Sequence, residues 1–414
     1  MKDEIRIPLN DPGQLEKMYQ SNKLGFKREF NMLYPEIKDS SLADFWYERL
    51  NYENEELNWG TRKELLFVVI AAILAGAFAK LPAFLPLAED FFYPRNIGFI
   101  IFPILMFYFA WKNKLSSGKI TFIVGASLTA LVFINFLPYV QKSDTLMLSC
   151  IHIILFLWSI LGFAFTGGLK TKEEKRLSFL KYNGDLLVII ALLFIACMML
   201  SGITIGLFSL IGYDIAKLYF KNIGIFGLAA LPIIGTYLTQ TNPQLVGKIS
   251  PVIAKLFSPL VVLMLIIYLI AIIYTAKNPY NDRDSLLIFN ALLIGVMAII
   301  FFSVAESTRT VKSKAEMWIL LVLSTVTIVL NCVTLSAIVF RITEWGITPN
   351  RTAVLGGNIL ILINLILVTI KLFKVITKKA DTQIVGNVIA TYLPVYFIWT
   401  IIVSFIFPLI FGFK

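Results

Sequence analysis

Charge is scarce in this chain. Only 15% of its 414 residues are Asp, Glu, Lys or Arg, whereas a soluble domain carries about a quarter. With so few charges, 58% hydrophobic residues and a mean hydropathy of +0.79, there is no solvated surface to spare, which excludes a soluble globular domain and points to an integral membrane protein. Histidine occurs once and cysteine three times. That excludes a disulfide framework and a spaced zinc motif, and Cys150, Cys197 and Cys332 read as small buried hydrophobes within apolar runs. No P-loop, dinucleotide fingerprint or nucleophile elbow is present. No cofactor, metal or catalytic residue is therefore expected. The net charge of +11 is no sign of nucleic-acid binding, because the lysines and arginines lie in short stretches between apolar runs, as membrane orientation signals do.

Residues 1–60 are the hydrophilic exception, with eight basic and twelve acidic residues, and they read as a small helical cytosolic segment. Asp11-Pro12 makes a helix start, with Leu15, Met18 and Tyr19 following at helical spacing. Pro35 ends that region. Ser41 opens a second helix with Asp44 three residues on, whose Leu42, Phe45, Trp46 and Leu50 share a face. So small a core is expected to rest on the membrane domain or on a protein partner. No cleavable leader opens the chain, so the first apolar run reads as a retained anchor.

Residues 61–414 read as an all-α polytopic membrane helix bundle. Thr61 and Glu64 form a capping box, and Trp59 takes an interfacial position. A bilayer core of about 30 Å needs roughly 20 apolar residues as helix. On that measure about eleven spans follow, with cores at Leu65 to Leu87, Asn96 to Trp111, Ile120 to Leu137, Thr145 to Phe165, Leu186 to Leu210, Ile223 to Leu238, Leu256 to Ala276, Leu286 to Ala305, Met317 to Phe340, Ala353 to Ile370 and Val388 to Leu409. The sixth is weakened by Gly224, Gly227, Pro232 and Gly235. The seventh opens on Ser250-Pro251 and is expected to kink at Pro259. With a cytosolic amino terminus the inner loops hold 17 basic residues, against 9 in the outer loops and carboxyl tail. This split places the amino terminus inside and Lys414 outside.

Polar residues at membrane depth are costly and few. Lys80 is expected to snorkel to the outer surface past Pro82. His152 reads as a hydrogen-bonded packing residue or a proton relay. Asp185 is expected to complement the start of the fifth span, and Glu306 to pair with Arg309 near the end of the eighth. Asn331 and Thr334 in the ninth span face Asn358 and Asn364 in the tenth, with Asn290 in the eighth. Counted from Gly346, Thr334 pairs in depth with Asn358 and Asn331 with Asn364. Two readings stay open: hydrogen bonds that fix helix packing, or amides lining a cavity below the loop.

The loop that joins the ninth and tenth spans, Arg341 to Arg351, is dense in signals. Gly346 suits a helix C′ position, Thr348 an N-cap and Pro349 the first position of the next helix. Glu344 is placed to pair with Arg341 and Trp345 to stack on it. Structure alone explains the loop. An anion site explains it too, and also accounts for two arginines on the side where positive charge is avoided. The candidate ligand-binding residues are Arg341, Arg351, Trp345, Thr348, Asn331, Asn358 and Asn364, for an anionic lipid or another small anion. Two further classes stay open. One is a sensor or scaffold acting through residues 1–60. The other is a membrane glycosyltransferase-like enzyme acting on a lipid-linked substrate through Glu89 and Asp90, at a position where polyprenyl-phosphate-dependent transferases carry catalytic acids, although the loop from Ala88 to Arg95 is short for that purpose.

Through Arg341, Trp345, Gly346, Ile347, Thr348 and Arg351 the chain resembles the bacterial multi-pass membrane proteins catalogued as domain of unknown function 4153. Their pattern runs from an arginine through an aromatic and Gly-Leu-Thr to a second arginine, so Trp345 and Ile347 are conservative departures. The resemblance covers the membrane region and implies a bacterial inner-membrane location; it implies no activity.

Overall fold

The computed structural model describes residues 11–21, 23–37, 40–51, 60–138, 140, 143–168, 173–210, 214–243, 262, 266, 270, 283–307, 314–378 and 381–413. It divides into two compact units, Met1–Asn58 and Trp59–Lys414. Every regular element among the described residues is helical.

The first unit holds α1 (Pro12–Ser21), α2 (Lys23–Leu33) and α3 (Ser41–Asn51). Asp11 caps α1, its Oδ1 accepting from the backbone N–H of Gly13 at 2.9 Å and of Gln14 at 3.1 Å. Leu15, Phe26, Phe30, Leu33, Trp46 and Leu50 close a small core of their own. Two local expectations shift. The α3 cap is Ser40, whose Oγ accepts from the Ala43 N–H. Asp44 instead accepts the Tyr34 hydroxyl proton at 2.8 Å, which pushes that phenol above its ordinary pKa. Phe45 points away from the core and is exposed.

The second unit comprises α4 (Arg62–Ala79), α5 (Glu89–Lys112), α6 (Ser117–Phe136), α7 (Asp144–Thr166), α8 (Glu173–Leu210), α9 (Ile225–Thr241), α10 (Arg283–Ser307), α11 (Lys314–Trp345), α12 (Pro349–Lys378) and α13 (Gln383–Ile401). Eight helical stretches among the described residues are long and apolar enough to cross a membrane. They correspond to the expected second to sixth and ninth to eleventh spans. The first falls outside this set: α4 carries Arg62, Lys63 and Glu64 and stops at Ala79, because Pro82 has no N–H to continue the helix. Of the eighth, Leu292–Ala305 forms a shorter apolar helix. The seventh, apart from residues 262, 266 and 270, lies outside the described residues, as do Trp59, Ser250-Pro251, Pro259 and Arg309.

Two apolar cores share α8. Phe179, Tyr182 and Leu186 join the core of α4 to α7 and α9, while Leu177 and Leu180 join that of α10 to α13. Glycines set the closest approaches. A Cβ on Gly76 would fall 2.1 Å from the Phe226 ring, one on Gly356 2.1 Å from Trp399, and one on Gly235 2.8 Å from Leu186. The glycines that weaken the sixth span as a sequence pattern therefore include one that lets α9 pack on α8.

Lys80 sits at the C-terminus of α4, where its Nζ donates to Asn222 Oδ1 and lies 5.7 Å from the Phe84 ring. Two placements correct the sequence reading. Asp185 does not begin a helix: α8 starts twelve residues earlier at Glu173, and Asp185 is buried in its interior. Cys197 and Cys332 are exposed on α8 and α11; only Cys150 is buried.

Proline leaves one carbonyl without its helical donor four residues earlier. Pro394 so frees the carbonyl of Ala390, and Arg176 Nη1 donates to it at 3.2 Å. Pro408 frees that of Ser404, which takes the Ser149 hydroxyl at 2.8 Å within a π-helical turn at Ile402–Ile406. Replacing Arg176 with Met is expected to lower stability by about 1 to 3 kcal/mol. The loss should shrink in a Pro394→Ala background, where the backbone supplies its own donor. A double-mutant cycle of thermal unfolding in detergent checks this, additive effects of the two changes being the contrary result.

Candidate functional site

The α11–α12 hairpin is built as its letters imply. Gly346 takes φ +77° and its N–H closes on the Ile342 carbonyl at 2.9 Å, so the chain leaves α11 through a left-handed residue. Thr348 Oγ1 accepts from the Arg351 N–H at 3.3 Å and caps α12, which opens on Pro349. Arg351 then reaches back. Its Nη1 donates to the carbonyls of Trp345 at 2.8 Å and Gly346 at 2.6 Å, satisfying the negative end of α11. Trp345 meets both guanidinium groups, Arg341 at 5.1 Å and Arg351 at 5.7 Å from its ring centre. Among the described residues the Nε and Nη2 of Arg351 have no hydrogen-bond partner, and the residue is half-buried. One nitrogen of the fork is thus fixed, in a side chain carried by the first turn of α12.

The asparagines lie deeper, and in a different register from the one counted along the chain. Asn331 Nδ2 donates to the Asn358 carbonyl at 3.1 Å, not to Asn364. Asn358 Nδ2 donates to Asn290 Oδ1 at 2.7 Å, which ties α12 to α10. Asn364 Nδ2 instead reaches Tyr396 Oη on α13 at 3.0 Å, and Thr334 bonds within its own helix to the Leu330 carbonyl. Asn331, Asn358 and Asn364 are 0 to 3% exposed. Their side-chain bonds link four helices, α10 to α13. Asn358 stands nine residues into α12, about 14 Å from its start at 1.5 Å per residue. The structure groups Arg341, Trp345, Thr348 and Arg351 at the tip and leaves the three asparagines in the packing beneath.

His152 sits with Nδ1 2.9 Å from the Leu148 carbonyl of its own helix, the arrangement of a packing residue. The sequence reading passed over three polar arrangements. Asn96 and Asn135 exchange both amide bonds, at 3.0 and 2.9 Å, across α5 and α6. Arg95 is buried, its Nη1 donating to the carbonyls of Ile134 and Leu137 at the end of α6 while its guanidinium lies 4.4 Å from the Phe91 ring centre. At the other end of the bundle Tyr108 donates to Glu64 at 2.6 Å, and Lys112 lies 3.5 Å from the same carboxylate oxygen. Spacing along the chain gives no hint of these pairs, because each joins residues 39 to 48 positions apart.

Comparison of the chain with family profiles, with curated proteins and with solved structures finds no match in any of the three.

The seam makes an asymmetric stability prediction. Asn358→Leu leaves Asn290 Oδ1 without its donor and is expected to cost about 1 to 3 kcal/mol. Asn331→Leu removes a side chain whose Oδ1 has no partner among the described residues and should cost less. Thermal unfolding of the two variants in one detergent decides the order, and the reverse order contradicts the assigned bonds.

Proposed function

We propose that this polytopic membrane protein binds, and as a transporter would admit, a small anionic or lipid-like ligand at the α11–α12 hairpin. Arg351 and Arg341 supply the positive charge, Trp345 and Thr348 frame the site, and Asn331, Asn358 and Asn364 hold the helices beneath it. The observation that carries this reading is the half-used guanidinium of Arg351. Its Nη1 is immobilised on two carbonyls while Nε and Nη2 stay without a partner among the described residues. A rigid planar donor suits phosphate or carboxylate, and little ordering cost remains when the ligand arrives. In the same proposal the chain has eleven spans, its amino terminus lies in the cytosol, and the hairpin opens on the outer face of a bacterial inner membrane. The basic-residue count and the hairpin's likeness to the domain of unknown function 4153 proteins support this placement.

One observation favours a second reading. The amino-terminal unit closes its own core yet exposes Met32 and Phe45, as suits a docking platform for a protein partner in a sensor or scaffold. It predicts a co-purifying protein that is lost when residues 1–60 are deleted. Glu89 and Asp90 lie in the first turn of α5, where carboxylates complement a helix N-terminus, and nothing in their geometry favours a transferase.

Native mass spectrometry of the full chain from vesicles of phosphatidylcholine and phosphatidylglycerol tests the leading reading. Retention of phosphatidylglycerol should fall about tenfold in Arg341→Gln/Arg351→Gln, the loss of a charge-assisted contact of about 1.4 kcal/mol or more. Unchanged retention in a folded double variant sinks it.

A further inference from the structure

A cleft of about 680 Å³ opens between the first turns of α5 and α7, at the same end of the bundle as the hairpin. Its mouth carries Asp90 from α5 and Asp144 from α7, each in the first turn of its helix. Below the mouth the wall turns apolar, through Ile97, Met147 and Ile151 to Ile154. Ile97, Met147 and Ile151 are about half exposed, at 48, 49 and 50%, on two helices long and apolar enough to cross a membrane. From Asp144 to Ile154 is ten residues of helix, about 15 Å of depth. The cleft is therefore polar at one end, apolar along its length and open sideways on faces that lipid would cover. A second groove, of about 660 Å³ beside Phe136 and Leu409, is walled by apolar residues and Thr129, with no charged group for a headgroup among the described residues.

Charge at the mouth narrows the occupant. Among the described residues that line the cleft are two carboxylates, Asp90 and Asp144, and one guanidinium, that of Arg95, which is fixed in the wall by the Ile134 and Leu137 carbonyls. A purely anionic lipid would meet both carboxylates. A purely cationic amphiphile would lie in the field of the buried arginine. A zwitterion with a phosphate and a primary amine answers both signs. Only an amine that keeps its N–H groups donates hydrogen bonds to carboxylates, which a quaternary ammonium cannot do. We propose that this cleft is a binding site for a phospholipid with a primary-amine headgroup, its amine on Asp90 and Asp144 and an acyl chain along Ile97, Met147 and Ile151. The site is separate from the hairpin and does not rest on the function proposed for it.

The test uses the full chain in nanodiscs of equal phosphatidylethanolamine and phosphatidylcholine, with retained lipid read by native mass spectrometry after release. Phosphatidylethanolamine adducts are expected to exceed phosphatidylcholine adducts at least fivefold. Asp90→Asn/Asp144→Asn should remove that preference, whereas Arg351→Gln should leave it intact. Ile151→Trp fills the cleft with both carboxylates in place, and should lose the retained lipid of either kind. Equal retention of the two lipids by the unaltered chain overturns the proposal. So does a preference that survives the double aspartate change, or, where that variant fails to fold, one that survives Ile151→Trp.

Discussion

A helix in hydrocarbon has no water to satisfy a carbonyl that its own backbone leaves open, and each such group costs several kcal/mol. The membrane unit depends on how it meets this constraint. The chain places prolines inside its helices and turns them back in short loops, and each device exposes carbonyls. Arg176 answers the one freed by Pro394, Ser149 the one freed by Pro408, Arg95 those at the end of α6 and Arg351 those at the end of α11. Three of these four donors are arginines. In a chain with so few charges, cations are used as staples, and each staple joins elements far apart in sequence or locks a turn.

The staples also define where a ligand is able to meet charge. Arg95 is sealed in the protein with Phe91 over its plane, so it contributes field but little contact. Arg351 is sealed on one nitrogen only. The positive charge at this end of the bundle is therefore graded, from the buried wall of the α5–α7 cleft to the half-buried fork at the hairpin tip. Trp345, flanked by two guanidinium groups, keeps the tip charge compact.

Legibility in the sequence followed the range of the interaction. The hairpin could be read letter by letter, because capping joins residues three to six positions apart and each role belongs to one residue type: Gly346 for positive φ, Thr348 for the cap, Pro349 for the first turn. Eight of the eleven expected spans were readable from apolar length, since bilayer thickness fixes it. Asp185 misled because Asn183-Gly184-Asp185 has the composition of a helix start, yet Glu173 and Glu174 already open that helix and packing of Gly184 against Phe302 carries it through. The asparagine register was misjudged by counting from the loop centre. Asn331 donates to the Asn358 carbonyl, six positions from the Asn364 that the counting gave it. Arg95 with the end of α6, and Asn96 with Asn135, depend on tertiary neighbours and left no local trace.

The account turns on Arg351 being presented at the outer surface with the hairpin tip in water. The direct measurement is labelling of one cysteine placed at Ile347, which is 70% exposed at the tip, in a chain with Cys150, Cys197 and Cys332 replaced by alanine. A membrane-impermeant maleimide is expected to modify it in intact cells, to the same extent as after lysis. Modification only after the membrane is opened would put the hairpin on the cytosolic side and contradict the account.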